Sequence, residues 1–184
     1  MNHTGFIKNC IFINCTVKYG SGIFCSQSSN TSILDCNFLN SSTFQGGAIF
    51  VSSINKINIL NCTFININSS DNGGAVYFCE RGNGSIINCI FTNCSSKNCG
   101  GSLYLSRAYC DIINCSFLNL NAFNGGAIFW FYNNGSIVNC TFTNINASYS
   151  YGAIYLLHVN SPIINCTFIN VSSADYGAVY GYYY

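Results

Sequence analysis

The chain has 184 residues, of which 49% are hydrophobic and only 6% are charged, and its formal net charge is +1. The scattered charges form no basic patch for nucleic acid, and no apolar run approaches the roughly 18 residues of a membrane-spanning helix. The stretch from Met1 to Cys10 lacks the charged start, apolar run and cleavage site of a signal peptide. Abundant Asn, Ser, Ile, Phe and Tyr, with one proline, favour strands and turns over helices.

A first motif, whose first copy begins at Ile7, occurs seven times along the chain. Its cysteines are spaced by 26, 26, 27, 26, 25 and 26 residues, with Phe two positions later and Asn four positions later. The cysteines are Cys10, Cys36, Cys62, Cys89, Cys115, Cys140 and Cys166. The phenylalanines are Phe12, Phe38, Phe64, Phe91, Phe117, Phe142 and Phe168. The asparagines are Asn14, Asn40, Asn66, Asn93, Asn119, Asn144 and Asn170. Each set is predicted to form a ladder along the fold.

A second motif, rich in glycine, alternates with the first at the same period. Gly46-Gly-Ala-Ile-Phe50 is a typical copy, and the last two copies begin with tyrosine, at Tyr151 and Tyr176. Short apolar runs with alternating polar residues, separated by Gly, Asn and Ser, indicate strands and turns. One unit cannot bury its apolar face alone, whereas stacked units can. We therefore expect one all-β domain over 1–184, a parallel β-helix of about seven coils with 25–27 residues each.

The Gly-Gly-Ala-Ile/Val motif, alternating with the Phe–Asn motif, resembles the repeats of the chlamydial polymorphic outer membrane proteins. It looks still more like Cys- and Asn-rich relatives among protist surface proteins and the adhesin-like proteins of methanogenic archaea. The resemblance covers the chain from Ile7 to Tyr180. It implies a right-handed parallel β-helix displayed at a cell surface, often in adhesion.

The 13 cysteines raise the question of disulfides or metal. Cysteines stacked in register have parallel Cβ vectors, which is poor disulfide geometry, so the ladder is interpreted as buried free thiols. Cys94 and Cys99 flank one loop and are the best candidates for a local disulfide. No Cys-x-x-Cys pair occurs, so we expect no metal site.

Catalytic residues are not expected, because alignment of the repeats brings no acids together. Glu80 aligns with Arg107 one coil later, which predicts a cross-coil ion pair. His3 and His158 are far apart, and neither aligns with a Ser or Cys partner. The sequence therefore predicts no enzyme activity and no cofactor.

A run of aromatic residues interrupts the repeat after the fifth glycine motif. Such residues are either ligand-contact side chains, for carbohydrate above all, or hydrophobic packing between loops. The candidates are Trp130, Phe131 and Tyr132 in this run, together with Tyr149, Tyr151 and Tyr176 further along the chain.

The leading functional hypothesis is a non-catalytic scaffold at the cell surface or outside the cell, adhesin-like, which binds host or cell-surface proteins or glycans through its loops. A carbohydrate-binding or carbohydrate-active protein is the first alternative. Neither end of the repeat array carries a recognisable cap, and uncapped β-helices favour end-to-end association. A self-associating filament module is therefore the second alternative.

Overall fold

The computed structural model describes residues 3–26, 29–52, 56–79, 82–132, 134–158 and 161–182. These residues form 23 strands, numbered β1 to β23 in chain order, and no helix. Within the described ranges, therefore, no helix is available that could span a membrane. The strands belong to three parallel sheets that run the length of the molecule.

The first sheet contains one strand from each coil. Its strands are β1 (His3–Lys8), β5 (Ser29–Leu34), β8 (Lys56–Leu60), β11 (Asn83–Ile87), β15 (Tyr109–Ile113), β18 (Ile137–Val138) and β21 (Ile163–Ile164). Each strand pairs in parallel with its counterpart in the next coil.

The second sheet carries the Cys–Phe–Asn motif. Its strands are β2 (Ile11–Ile13), β3 (Thr16–Tyr19), β6 (Asn37–Gln45), β9 (Thr63–Ser69), β12 (Ile90–Thr92), β13 (Ser95–Ser96), β16 (Ser116–Asn124), β19 (Thr141–Ser150) and β22 (Thr167–Ser173). In coils one and four the sheet divides into two strands, so β3 and β13 pair beside the main path.

The third sheet carries the glycine motif. Its strands are β4 (Ile23–Cys25), β7 (Ile49–Val51), β10 (Val76–Phe78), β14 (Leu103–Ser106), β17 (Ile128–Phe131), β20 (Ile154–Leu157) and β23 (Val179–Tyr182). The predicted all-β parallel solenoid is confirmed, and six turns separate its first coil from its seventh.

The register places equivalent residues of successive repeats directly opposite one another. Phe12 lies opposite Phe38, which lies opposite Phe64, an offset of 26 residues at each step. The Phe rings stack with centroids 4.7–5.0 Å apart and planes within 7° of parallel. The five middle rings have no solvent exposure. A stack of this kind adds about 0.5–1.5 kcal/mol per pair beyond the burial of apolar area.

Two corners flank the short Cys–Phe segment in every coil, and both are asparagine except in the second coil, where the first is Asp35. Asn61 and Asn66 have φ angles of 54° and 56°, in the left-handed region that Asn tolerates better than most residues. The same conformation recurs at the residue before each motif cysteine and at the motif asparagine. Asn119 Nδ2 donates to Asn93 Oδ1 at 3.1 Å and its own Oδ1 accepts from Asn144 Nδ2 at 2.9 Å. The Asn119 corner thus combines an unusual backbone with amide bonds to both neighbouring coils.

The substitution Asn119→Gly is expected to cost less stability than Asn119→Ala. Both lose the two amide hydrogen bonds, worth about 0.5–1.5 kcal/mol each, but only alanine adds the cost of a left-handed backbone, about 1–2 kcal/mol. Urea unfolding of both variants measures the difference. Equal losses would mean that the corner conformation carries no cost, contrary to the φ of 54°.

Candidate binding surface

The third sheet carries a row of aromatic side chains on its outer side, which we call the outer aromatic column; Phe24 is 53% exposed, whereas Phe50 and Tyr155 are each only 8% exposed. Ile49 and Val51 face the core and are fully buried, so the alternation of a strand directs Phe50 between them to the outer face. The column consists of Phe24, Phe50, Tyr77, Tyr104, Phe129, Tyr155 and Tyr180. Six steps of a parallel coil make it about 29 Å long.

The rings of this column stack on one another, so their faces are largely covered. Ring centroids are 4.6–5.7 Å apart, and the planes are within 11° of parallel except between Phe129 and Tyr155, at 31°. The parts of the column that reach solvent are therefore ring edges rather than ring faces. A sugar packs its C–H groups against the electron-rich face of a ring, so this arrangement suits protein contacts better than sugar stacking.

Trp130, predicted as a ligand contact, is instead part of the core, and that prediction is wrong. Its side chain is completely buried between its register neighbours Leu105 and Leu156. Ile128 and Trp130 face inward on the same strand, whereas Phe129 and Phe131 face outward. Val51 and Phe78 occupy the position equivalent to Trp130 in earlier coils, and both are buried. This apolar column was the sequence signal that could have predicted a buried tryptophan.

The other predicted aromatic residues fall into separate groups. Phe131 is half-buried, and Tyr132 is exposed and stacks on His158 with centroids 4.5 Å apart. Tyr149 stacks on Phe123 at 4.6 Å, at the end of the second sheet. Tyr151 stacks on Tyr176, and both pack against the last two rings of the outer aromatic column.

A groove lies on the outside of the second sheet, with a volume of about 530 Å³. Lys18 and Lys97 stand three coils apart, about 14 Å along the axis, and Phe44 between them is 47% exposed. Hydroxyl and amide groups of Thr16, Ser42, Asn68 and Ser95 complete the lining. Thr43 Oγ1 also borders the groove and is buried with no hydrogen-bond partner among the described residues.

The four aspartates act as hydrogen-bond acceptors in different coils and sheets. Asp35 accepts from Asn61 Nδ2 at 3.0 Å, and Asp71 accepts from the side chains of Gln45 and Asn98. Asp111 and Asp175 accept from serine hydroxyl groups of a neighbouring coil. No three His, Cys, Asp or Glu side chains within the described ranges are arranged to hold a metal ion. The predicted ion pair between Glu80 and Arg107 involves a residue, Glu80, that lies outside the described residues.

The motif cysteines face the core, and all 13 cysteines are free thiols. Cys62, Cys89 and Cys115 are buried, and each Sγ donates to the carbonyl oxygen two residues earlier, at 3.2–3.3 Å. Burial raises the pKa of the Cys36 and Cys166 thiols, so they stay protonated at neutral pH. The column thus provides small apolar groups for packing.

The predicted Cys94–Cys99 disulfide is absent, and both residues are free thiols. Cys94 is buried in the core, where its Sγ lies 3.7 Å from the carbonyl oxygen of Phe64. Cys99 belongs to the next corner, where its backbone N–H donates to Asn72 Oδ1. The left-handed corner at Asn93, just before Cys94, directs the Cys94 thiol into the core. The short separation in sequence had suggested instead that Cys94 and Cys99 face the same loop.

Alkaline pH is expected to destabilise the fold through its buried thiols. Burial raises the pKa of Cys94 from the ordinary 9.0 to about 12, and that of Cys99 to about 11. A thiol that ionises only when unfolded favours unfolding by about 1.4 kcal/mol per pH unit, from pH 9.0 up to its raised pKa, about 12 for Cys94 and about 11 for Cys99. Below 9.0 both states are protonated and stability is retained.

The variant Cys94→Val tests this dependence, because Ile67 and Leu120 are apolar at the same position of neighbouring coils. Urea midpoints measured below pH 9.0 are the reference. Between pH 9.0 and about 12 the midpoint should fall with rising pH, less steeply for the variant than for the parent. Identical slopes would show that Cys94 does not contribute to the alkaline loss.

Comparison of the chain with profiles of protein families, with curated proteins and with solved structures finds no match.

Proposed function

We propose that this protein is a non-catalytic, adhesin-like scaffold, displayed at the cell surface or outside the cell, that binds protein partners through the outer aromatic column. The observation that carries the proposal is the column itself, seven aromatic side chains in register on one outer face. Tyrosine and other aromatic side chains are enriched at protein interfaces because a large apolar body carries a polar tip. Such a row on a rigid sheet offers contact area at little cost in side-chain entropy.

The positions of the reactive groups support a role without catalysis. The thiols of the motif cysteines pack in or against the core, and the four aspartates accept hydrogen bonds within the solenoid. His158 is stacked on Tyr132 at the end of the third sheet. A catalytic acid, base or nucleophile needs a reachable substrate position beside it, and these groups are engaged in packing instead.

Antibody staining of intact and then of permeabilised source cells tests the display. Signal on intact cells is the expected result, and signal only after permeabilisation contradicts it. Binding of the purified chain to cells then tests the surface involved. The variant Tyr104→Ser, in the middle of the outer aromatic column, should weaken binding, whereas Tyr109→Ser should not. Tyr109 is 48% exposed and lies on the first sheet, outside the column.

Carbohydrate binding is the second candidate, and the groove between Lys18 and Lys97 favours it. Its hydroxyl and amide groups and two cations suit a linear glycan with acidic groups. A glycan array should then give signal for sulfated or carboxylated glycans that falls in Lys97→Ser and persists in Lys56→Ser. Lys56 is an exposed lysine on the first sheet. No acidic-glycan signal, or equal signals for both variants, would exclude this groove.

A further inference from the structure

Four tyrosine rings of the last two described coils form one cluster. Tyr151 and Tyr155 belong to the sixth coil, and Tyr176 and Tyr180 to the seventh. Tyr151 is the centre of the cluster, with ring centroids 4.2 Å from Tyr155, 5.2 Å from Tyr176 and 4.7 Å from Tyr180. Tyr176 and Tyr180 are 4.5 Å apart. Every phenol of the cluster therefore lies within van der Waals reach of another.

The cluster is open to solvent at one side. Tyr176 is 46% exposed, whereas Tyr155 is only 8% exposed. Burial, followed by the proximity of Tyr176 and Tyr180, raises the pKa of Tyr151, and burial raises the pKa of Tyr155 to about 12. Tyr151 and Tyr155 are therefore protonated at neutral pH, and Tyr176 is a ring that a soluble oxidant can reach.

We propose that this tyrosine cluster is a site of oxidative modification, at which Tyr151 is joined by a carbon–carbon bond to Tyr176 or Tyr180 of the next coil. The oxidant is hydrogen peroxide acting through a one-electron oxidant of the haem peroxidase class. Two phenols each lose one electron and one proton, and the two phenoxyl radicals couple at ring carbons ortho to oxygen. Both rings regain aromaticity by tautomerisation. The two electrons and two protons reduce one hydrogen peroxide to two waters.

Among the rings of the sixth coil, the geometry favours Tyr151 for coupling to the seventh coil, because the other ring, Tyr155, lies 5.7 Å from Tyr180. The ring planes of Tyr151 and Tyr180 are inclined by 43° at a centroid distance of 4.7 Å, which brings an edge of one ring towards the other. Tyr151 also has a tyrosine partner on three sides, so a radical formed on exposed Tyr176 meets a second phenol at once. The product ties the seventh coil covalently to the sixth. This inference does not depend on what the solenoid binds.

The test uses the full chain, horseradish peroxidase and hydrogen peroxide, followed by digestion with a protease that cleaves before aspartate. Cleavage before Asp111 and Asp175 puts Tyr151 in peptide 111–174 and Tyr176 with Tyr180 in peptide 175–184. The expected product is these two peptides joined, two hydrogen atoms lighter than their sum, with dityrosine fluorescence in the monomer fraction. Sulfur oxidation is read from the same digest.

The variant Tyr151→Phe keeps the ring but cannot form a phenoxyl radical, so it should lose the joined peptides. The matched variant Tyr109→Phe should keep them, since Tyr109 is exposed and makes no ring contact among the described residues. Circular dichroism checks that both variants retain the fold. Three results would each overturn the proposal. They are cross-links only between molecules, cross-links only within peptide 71–110 or peptide 175–184, and oxidation of sulfur alone.

Discussion

Replacing Gly74 with alanine is expected to prevent folding or to cost more than about 4 kcal/mol of stability. A Cβ atom at this position would lie 1.9 Å from the carbonyl oxygen of Gly101 in the next coil and 2.7 Å from that of Ser95. Both are backbone atoms, which cannot move without breaking the register between coils. The glycine motif therefore provides close approach of successive backbones at this position.

Gly177 is the matched control, because it holds the same place in the last copy of the motif. A Cβ atom on Gly177 would meet nothing within 4 Å. Gly177→Ala should therefore change stability by no more than about 0.5 kcal/mol. Soluble expression, circular dichroism and urea unfolding compare the two variants. Similar behaviour of both would contradict the close packing of coils at Gly74.

The substitution Phe91→Ala is expected to cost about 3–5 kcal/mol. Phe91 is fully buried between Phe64 at 4.7 Å and Phe117 at 5.0 Å, so its removal leaves a cavity and ends two ring stacks. Phe168 has one described ring partner, Phe142, and is only half-buried. Phe168→Ala should therefore cost clearly less. Equal losses in urea unfolding would mean that the stack does not run through the core as described.

Much of the fold could be predicted from the sequence because its columns repeat at nearly constant spacing. Phenylalanine occupies the position of Phe91 in every repeat, so the place of Phe91 in the core follows from the repeat alone. Local departures were harder. Trp130 was assigned to a ligand surface because it looked like an interruption of the repeat, although strand alternation after Ile128 directs it inward. Cys94 and Cys99 were paired by closeness in sequence, but a left-handed corner at Asn93 separates their directions.

The outer aromatic column was missed although its residues were part of the quoted glycine motif. The signal was the alternation Ile49-Phe50-Val51, in which Ile49 and Val51 point into the core and Phe50 points to the other side of the sheet, where it is 8% exposed. The residue before each motif cysteine was likewise not singled out from the sequence. Its left-handed backbone, as at Asn61 with φ of 54°, follows from the need to turn the chain immediately before a buried side chain.

Ring-to-ring nuclear Overhauser effects in the 20.1 kDa chain, with labelled Phe and Tyr, test the in-register stacking most directly. The inner Phe91 ring should show contacts to Phe64 and Phe117, at 4.7 and 5.0 Å. The outer Tyr104 ring should show contacts to Tyr77 and Phe129, at 4.7 and 5.4 Å. Contacts at another residue offset, or contacts between the Phe91 and Tyr104 sets, would contradict separate inner and outer columns.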